Sequence, residues 1–132
     1  MPDQLGKRAF VVDDEWVIAT TLATILQDSG FHATAFNNPL EVLNAAEYEA
    51  PNLVISDVVM PQLSGIELAI RLKTLYPACK VLLFSGQAES SNLLGKAREQ
   101  GHDFHLMSKP VHPNDLLRQI REQTELTEAP TY

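Results

Sequence analysis

Apolar positions along the chain fall into short runs separated by stretches of helical period. Leu53-Val54-Ile55-Ser56 is a compact, β-branched run that reads as a strand buried on both faces. Arg8-Ala9-Phe10-Val11-Val12 and Lys80-Val81-Leu82-Leu83-Phe84 read as two more strands. Phe31 to Phe36 alternates enough to make another, and Phe104 to Ser108 completes a set of five. Between them, Ile18, Leu22, Ile25 and Leu26 recur on one side of a helix from about Glu15 to Asp28, closed by Ser29-Gly30. Asn38-Pro39-Leu40-Glu41 opens a second helix, with Asn as cap, Pro in the first turn and Glu reaching back, and Pro51 ends it. A third helix starts at Ser64 or Gly65 and runs to about Tyr76 on Leu68, Leu72 and Leu75, until Pro77 stops it. A weaker helix from about Glu89 to Gln100 has only Leu93, Leu94 and Ala97 as its stripe. His112-Pro113-Asn114-Asp115 starts the last helix, with Leu116, Leu117 and Ile120 inward.

Five strands alternating with five helices predict an α/β fold: a parallel sheet with right-handed crossovers and helices on both faces. The pattern fades after Thr124, so 1–124 reads as one domain and 125–132 as a polar tail. The length of 132 residues suits a single core. Cys79 is the only cysteine, which excludes an intramolecular disulfide and a multi-cysteine metal site. Neither a leader-like start nor a run of about 18 apolar residues is present, so a cytoplasmic protein without a membrane span is expected. The net charge is −7 and the ten basic residues are scattered, which argues against direct nucleic-acid binding.

The chemistry gathers at strand ends. The first strand ends in Asp13-Asp14-Glu15, the third in Asp57, the fourth in Ser85-Gly86 and the fifth in Lys109-Pro110. In an open parallel sheet these ends share one carboxyl edge, where ligands bind. Three carboxylates brought together repel unless a cation intervenes, and an all-oxygen set suits Mg²⁺, with Mn²⁺ as a substitute. One carboxylate can then attack phosphorus to give an acyl phosphate, with Lys109 supplying positive charge and Ser85 a hydroxyl donor. Taken singly, each feature has a plainer account: Asp13-Asp14-Glu15 as a helix cap, Ser85-Gly86 as a turn, Lys109 as surface. A nucleotide or flavin site would want a Gly/Ser/Thr-rich loop after the first strand, and here that loop is acidic.

Together Asp13-Asp14, Asp57-Val58-Val59-Met60-Pro61, Ser64-Gly65, Ser85 and Lys109-Pro110 resemble the receiver domain of two-component response regulators, from about Arg8 to Gln123. The resemblance implies a flavodoxin-like (βα)5 fold with strand order 2-1-3-4-5. It implies that Asp57 accepts a phosphoryl group from the phosphohistidine of a histidine kinase or phosphotransfer protein. Asp13 and Asp14 match the acidic pair that holds Mg²⁺, one directly and one mostly through water, and the Val59 carbonyl would complete the protein ligands. Ser85 matches the hydroxyl switch residue, Lys109 the family lysine, Pro110 a cis peptide, and Gly65 the glycine that closes the loop. Val59 and Gln87 match positions that flank the phosphate and tune its lifetime; an apolar Val59 predicts a persistent acyl phosphate.

Family members usually show an aromatic switch residue two before the residue preceding the lysine. Here Gly101-His102-Asp103-Phe104-His105-Leu106-Met107-Ser108-Lys109 is one residue longer, so either Phe104 or His105 takes that place, and Val111 replaces the commoner Phe. No two of His32, His102, His105 and His112 have helical metal spacing, which favours surface roles. Trp16 reads as packing or as a residue overhanging the metal site. With no module after the last helix, a stand-alone receiver is expected, meeting a separate effector through its fourth helix, fifth strand and last helix. Such a protein modifies itself and is not an enzyme with an outside substrate. Two alternatives compete: a pseudo-receiver that binds partners without phosphorylation, and a metal-dependent aspartyl-phosphate phosphatase. The phosphatase would want a second acid where Val59 stands.

Overall fold

The computed structural model describes residues 7–85, 95, 98–99, 101, 104–108 and 112–127. The strands are β1 (Arg8–Val12), β2 (His32–Phe36), β3 (Leu53–Asp57), β4 (Lys80–Ser85) and β5 (His105–Ser108). The helices are α1 (Trp16–Asp28), α2 (Pro39–Tyr48), α3 (Gly65–Leu75) and α4 (Pro113–Thr127). All strand pairs are parallel and the order is β2-β1-β3-β4-β5, as the resemblance implied. The expectations for Gln87, Lys109, Pro110 and most of the helix from Glu89 to Gln100 lie outside the described residues; Gly95, Arg98 and Glu99 are helical.

Because side chains alternate along a strand, β1, β3 and β4 feed two cores at once. Phe10, Val12, Val54, Val81 and Leu83 pack under α2 and α3, against Val42, Ala46, Ile66, Leu68, Ala69 and Leu72. Ala9, Val11, Leu53, Ile55, Leu82, Phe84 and Met107 pack under α1 and α4, against Ala19, Leu22, Ala23, Leu26, Leu116 and Ile120. Each central strand is therefore apolar at successive positions, the signature of a sheet covered on both faces. The edge strand β2 is only half buried, and there Phe36 meets Phe10 edge to face, ring centres 5.0 Å apart.

Backbone bonds lock the register at the amino edge. The N–H groups of His32, Asn52 and Lys80 donate to the carbonyls of Lys7, Arg8 and Asn52 at 2.8, 2.8 and 2.9 Å. Asn52 Oδ1 also accepts from the Arg8 N–H at 2.7 Å. With this edge pinned, the side chains at the far ends of β1, β3 and β4 have fixed relative positions.

Helix starts follow the expected chemistry. Asn38 Oδ1 accepts from the Leu40 N–H at 2.9 Å with Pro39 in the first turn, and Ser64 Oγ accepts from the Glu67 N–H at 3.1 Å. Three details depart from the periodic reading. The buried line of α1 is centred on Ala19, Leu22, Ala23 and Leu26, while Ile18 and Ile25 flank it half buried, because the two alanines let the helix approach the sheet. Leu75 is 61% exposed, since the last turn of α3 carries it past the core. Helix α4 continues to Thr127, past the point where its apolar stripe ends. No helix among the described residues is long and apolar enough to cross a membrane.

Where α3 hands over to β4, Lys73 Nζ donates to the carbonyls of Pro77 (3.2 Å) and Cys79 (2.8 Å), satisfying acceptors in the connecting loop. Cys79 is buried beneath them. Burial pushes its thiol up from 9.0 to about 11, against the opposing pull of Lys73 and Lys80. The unfolded chain releases this proton first, so the contribution is whole below the unfolded value and is lost as pH rises through the folded one. Between those values the protein should lose about 2–3 kcal/mol of unfolding free energy that Cys79→Ala does not lose. Urea titrations of both proteins across that alkaline range check this; parallel losses would contradict it.

Candidate functional site

The carboxyl edge of β1 is built by continuing the strand one step. The Asp13 N–H donates to the Phe36 carbonyl at 3.1 Å, which holds Asp13 in strand geometry beyond the formal end of β1. Its Oδ1 then accepts from the Glu15 N–H at 2.9 Å, a local turn that aims the chain into α1, and Glu15 makes no side-chain cap of its own. Asp13 is fully buried, with Oδ2 inside, whereas Asp14 is exposed. The two acids therefore differ in environment, one inside and one at the water face.

Asp57 is the last residue of β3 and is 6% exposed. One carboxylate oxygen from each of Asp13, Asp14 and Asp57 lies within 4.8 Å of the others. Like charges this close repel, and a cation between them relieves the repulsion. A hard, oxygen-seeking divalent ion fits the set: all donors are oxygens, two come from buried side chains, and the exposed third leaves a side open to water.

Next to Asp57, Ser85 ends β4 and is nearly buried. The two strand ends are tied, since the Val58 N–H donates to the Phe84 carbonyl at 3.1 Å. After Val58 the chain turns sharply. Val58 and Met60 are buried, Val59 between them is 45% exposed, and Gln62 takes a φ of 67°, unusual for a residue with a side chain. The Leu63 N–H donates to the Pro61 carbonyl at 2.7 Å, closing a γ-turn around Gln62. The Gly65 N–H then returns to the Val58 carbonyl at 2.8 Å, which docks the start of α3 on the backbone beside Asp57. A Cβ on Gly65 would overlap the Asp57 carbonyl oxygen and lie 3.0 Å from Ser56 Oγ.

Of the other expected residues, Phe104 is half buried and packs against the α2–α3 core, and His105 pairs with Leu82 in β5. Lys109, Pro110 and Gln87 lie outside the described residues. Trp16, in the first turn of α1, is 51% exposed, so about half of its surface faces solvent. His32 is exposed, and His112 Nδ1 accepts from the Asn114 N–H at 3.1 Å, a cap for α4. The sequence reading passed over Ser56, a buried hydroxyl that donates to the Asp57 carbonyl at 2.8 Å. The signal was one polar residue inside an otherwise apolar run. Gln62 gave no signal, because only the closed turn demands its backbone angle.

The Gly65 contact makes a quantitative demand. Gly65→Ala should cost about 3 kcal/mol of unfolding free energy, because the obstacle is backbone and cannot swing aside. Chemical denaturation measures this; a loss below about 1 kcal/mol would mean that the loop and α3 shift freely.

Comparison with known proteins agrees with this geometry. The family model for the response regulator receiver domain matches residues 9–121. Transcriptional regulatory protein CreB of Escherichia coli is 37% identical over 113 residues, which is 85% of this chain and 48% of CreB, so the chain spans about half of that relative. Response regulator receiver protein CpdR of Brucella abortus is 30% identical over 116 residues, covering 88% of this chain and 95% of CpdR. The crystal structure of a CheY-like response regulator receiver domain protein from Methanospirillum hungatei superposes with a TM-score of 0.82 at 31% identity, covering 93% of this chain and 97% of that one. The chain belongs to the response regulator receiver domain family of two-component signalling.

Proposed function

We propose that this chain is a signalling switch in which Asp57 accepts a phosphoryl group from the phosphohistidine of a histidine kinase or phosphotransfer protein. The observation that carries the reading is the meeting of the Asp13, Asp14 and Asp57 carboxylates at the carboxyl edge of the sheet. An Asp57 carboxylate oxygen forms a bond to phosphorus as the donor's N–P bond breaks; the imidazole leaves with the electron pair and takes a proton from water. Asp13, Asp14, Asp57 and the Val59 carbonyl would hold Mg²⁺ (or Mn²⁺), which when bound offsets the charge of the carboxylates and of the transferring oxygens. The chain's own residues supply the rest. Burial of Asp13 and Asp57 excludes competing water, Ser85 offers a hydroxyl donor one strand away, and Lys109 supplies the second positive charge. A single buried thiol suits a reducing, cytoplasmic setting.

Val59 stands two residues past the acceptor and its exposed side chain has no group that orients an attacking water. The acyl phosphate should therefore persist. Incubation with acetyl phosphate and Mg²⁺, followed by intact mass over time, should show one added phosphoryl group, absent in Asp57→Asn and lost severalfold faster in Val59→Asn. A protein that gains no mass, or gains it equally without Asp57, contradicts the reading; a decay unchanged by Val59→Asn contradicts the lifetime assignment.

The phosphorylated state changes affinity for a kinase, relay protein or separate effector through β5, α4 and the helix that the sequence predicts from about Glu89 to Gln100. Amide exchange with and without beryllofluoride should show altered protection between residues 89 and 123. Unaltered exchange over that span would contradict it.

A further inference from the structure

We infer that Ser56 is a positioning residue for phosphoryl transfer, acting through the peptide that joins Asp57 to Val58. This inference rests on the reading of Asp57 as the acceptor. Ser56 is fully buried in β3, in register with Val12 on one side and Leu83 on the other. An aliphatic side chain would suit such a place, and a hydroxyl is costly there unless bonded. Its bond goes to the Asp57 carbonyl, at 2.8 Å.

That carbonyl belongs to a peptide unit held at every corner. Ser56 fixes the oxygen, the Val58 N–H of the same unit donates to the Phe84 carbonyl at 3.1 Å, and Gly65 presses against the oxygen from α3. The following carbonyl, of Val58, accepts from the Gly65 N–H at 2.8 Å. Fixing this plane fixes ψ of Asp57, and so the angle at which its carboxylate meets Asp13, Asp14 and an incoming phosphorus. Transfer is sensitive to such angles, because the attacking oxygen must lie in line with the breaking bond. Without the hydroxyl the plane keeps its N–H tether but loses the Ser56 bond to its oxygen, so the carboxylate samples unproductive angles.

Threonine and valine have the same shape and differ only in the hydroxyl, so any disturbance from their extra bulk is shared. The full chain carrying Ser56→Thr or Ser56→Val is to be phosphorylated with phosphoramidate, a small donor that needs no docking surface, at saturating Mg²⁺. Maximal rate and half-saturating donor concentration are read separately by intact mass and normalised to the folded fraction. Ser56→Thr should keep the maximal rate of the unsubstituted chain, while Ser56→Val should lose about tenfold with the half-saturating concentration unchanged. Equal rates for the two variants would overturn the inference. If the branched variants fail to fold, Ser56→Ala adds no atoms and should show the same tenfold loss; an unchanged rate there would overturn it equally. Failure of the underlying reading looks different: the unsubstituted chain itself would gain no mass, which overturns both.

Discussion

Three carboxylates held closer than they would choose are the constraint on which the rest of this structure depends. Free in solution, Asp13, Asp14 and Asp57 would separate; here the backbone keeps an oxygen of each within 4.8 Å of the others. The restraint comes from strand pairing. β1 and β3 are neighbours in the sheet, in register from Ala9 with Leu53 to Val12 with Ser56, so the residues that follow emerge side by side. Two apolar layers, one under α2 and α3 and the other under α1 and α4, hold those strands against the repulsion at their ends. Stability built in the core is thus spent at the rim, where charge is concentrated.

The loop after Asp57 serves the same end. Buried Val58 and Met60 anchor it, the turn at Gln62 reverses it, and Gly65 brings α3 against the Asp57 carbonyl. The tie from Val58 to Phe84 extends this frame to β4, so that the Asp57 and Ser85 ends of two strands share one backbone connection. A disturbance at Asp57 therefore has a short covalent and hydrogen-bonded route to β4 and, through its pairing, to β5.

Much of the fold was legible because local signals and burial agree. The β-branched runs, the Asn38-Pro39 and Ser64-Gly65 helix starts and the punctuation at Gly30 all report backbone preferences that the core does not override. The acidic edge was legible for a different reason: once the strands alternate with helices, topology alone sends Asp13 and Asp57 to one rim. Leu75 and Ile18 lie less deep than the rest of their stripes, because periodicity marks a direction around a helix but not how far the sheet extends beneath it. Ser56 escaped because its significance lies in a bond to a backbone carbonyl, which a string of side chains does not record. The strain at Gln62 was hidden for the same reason.

Asp13, Asp14 and Asp57 are proposed to hold one divalent cation between them. Isothermal calorimetry of Mg²⁺ binding, with Trp16 fluorescence as a second reporter, measures this. A single site is expected, with affinity falling at least about tenfold in Asp13→Asn and in Asp57→Asn, because each substitution removes a buried charge from the shared set. Binding that is absent, or that survives both substitutions undiminished, would contradict it.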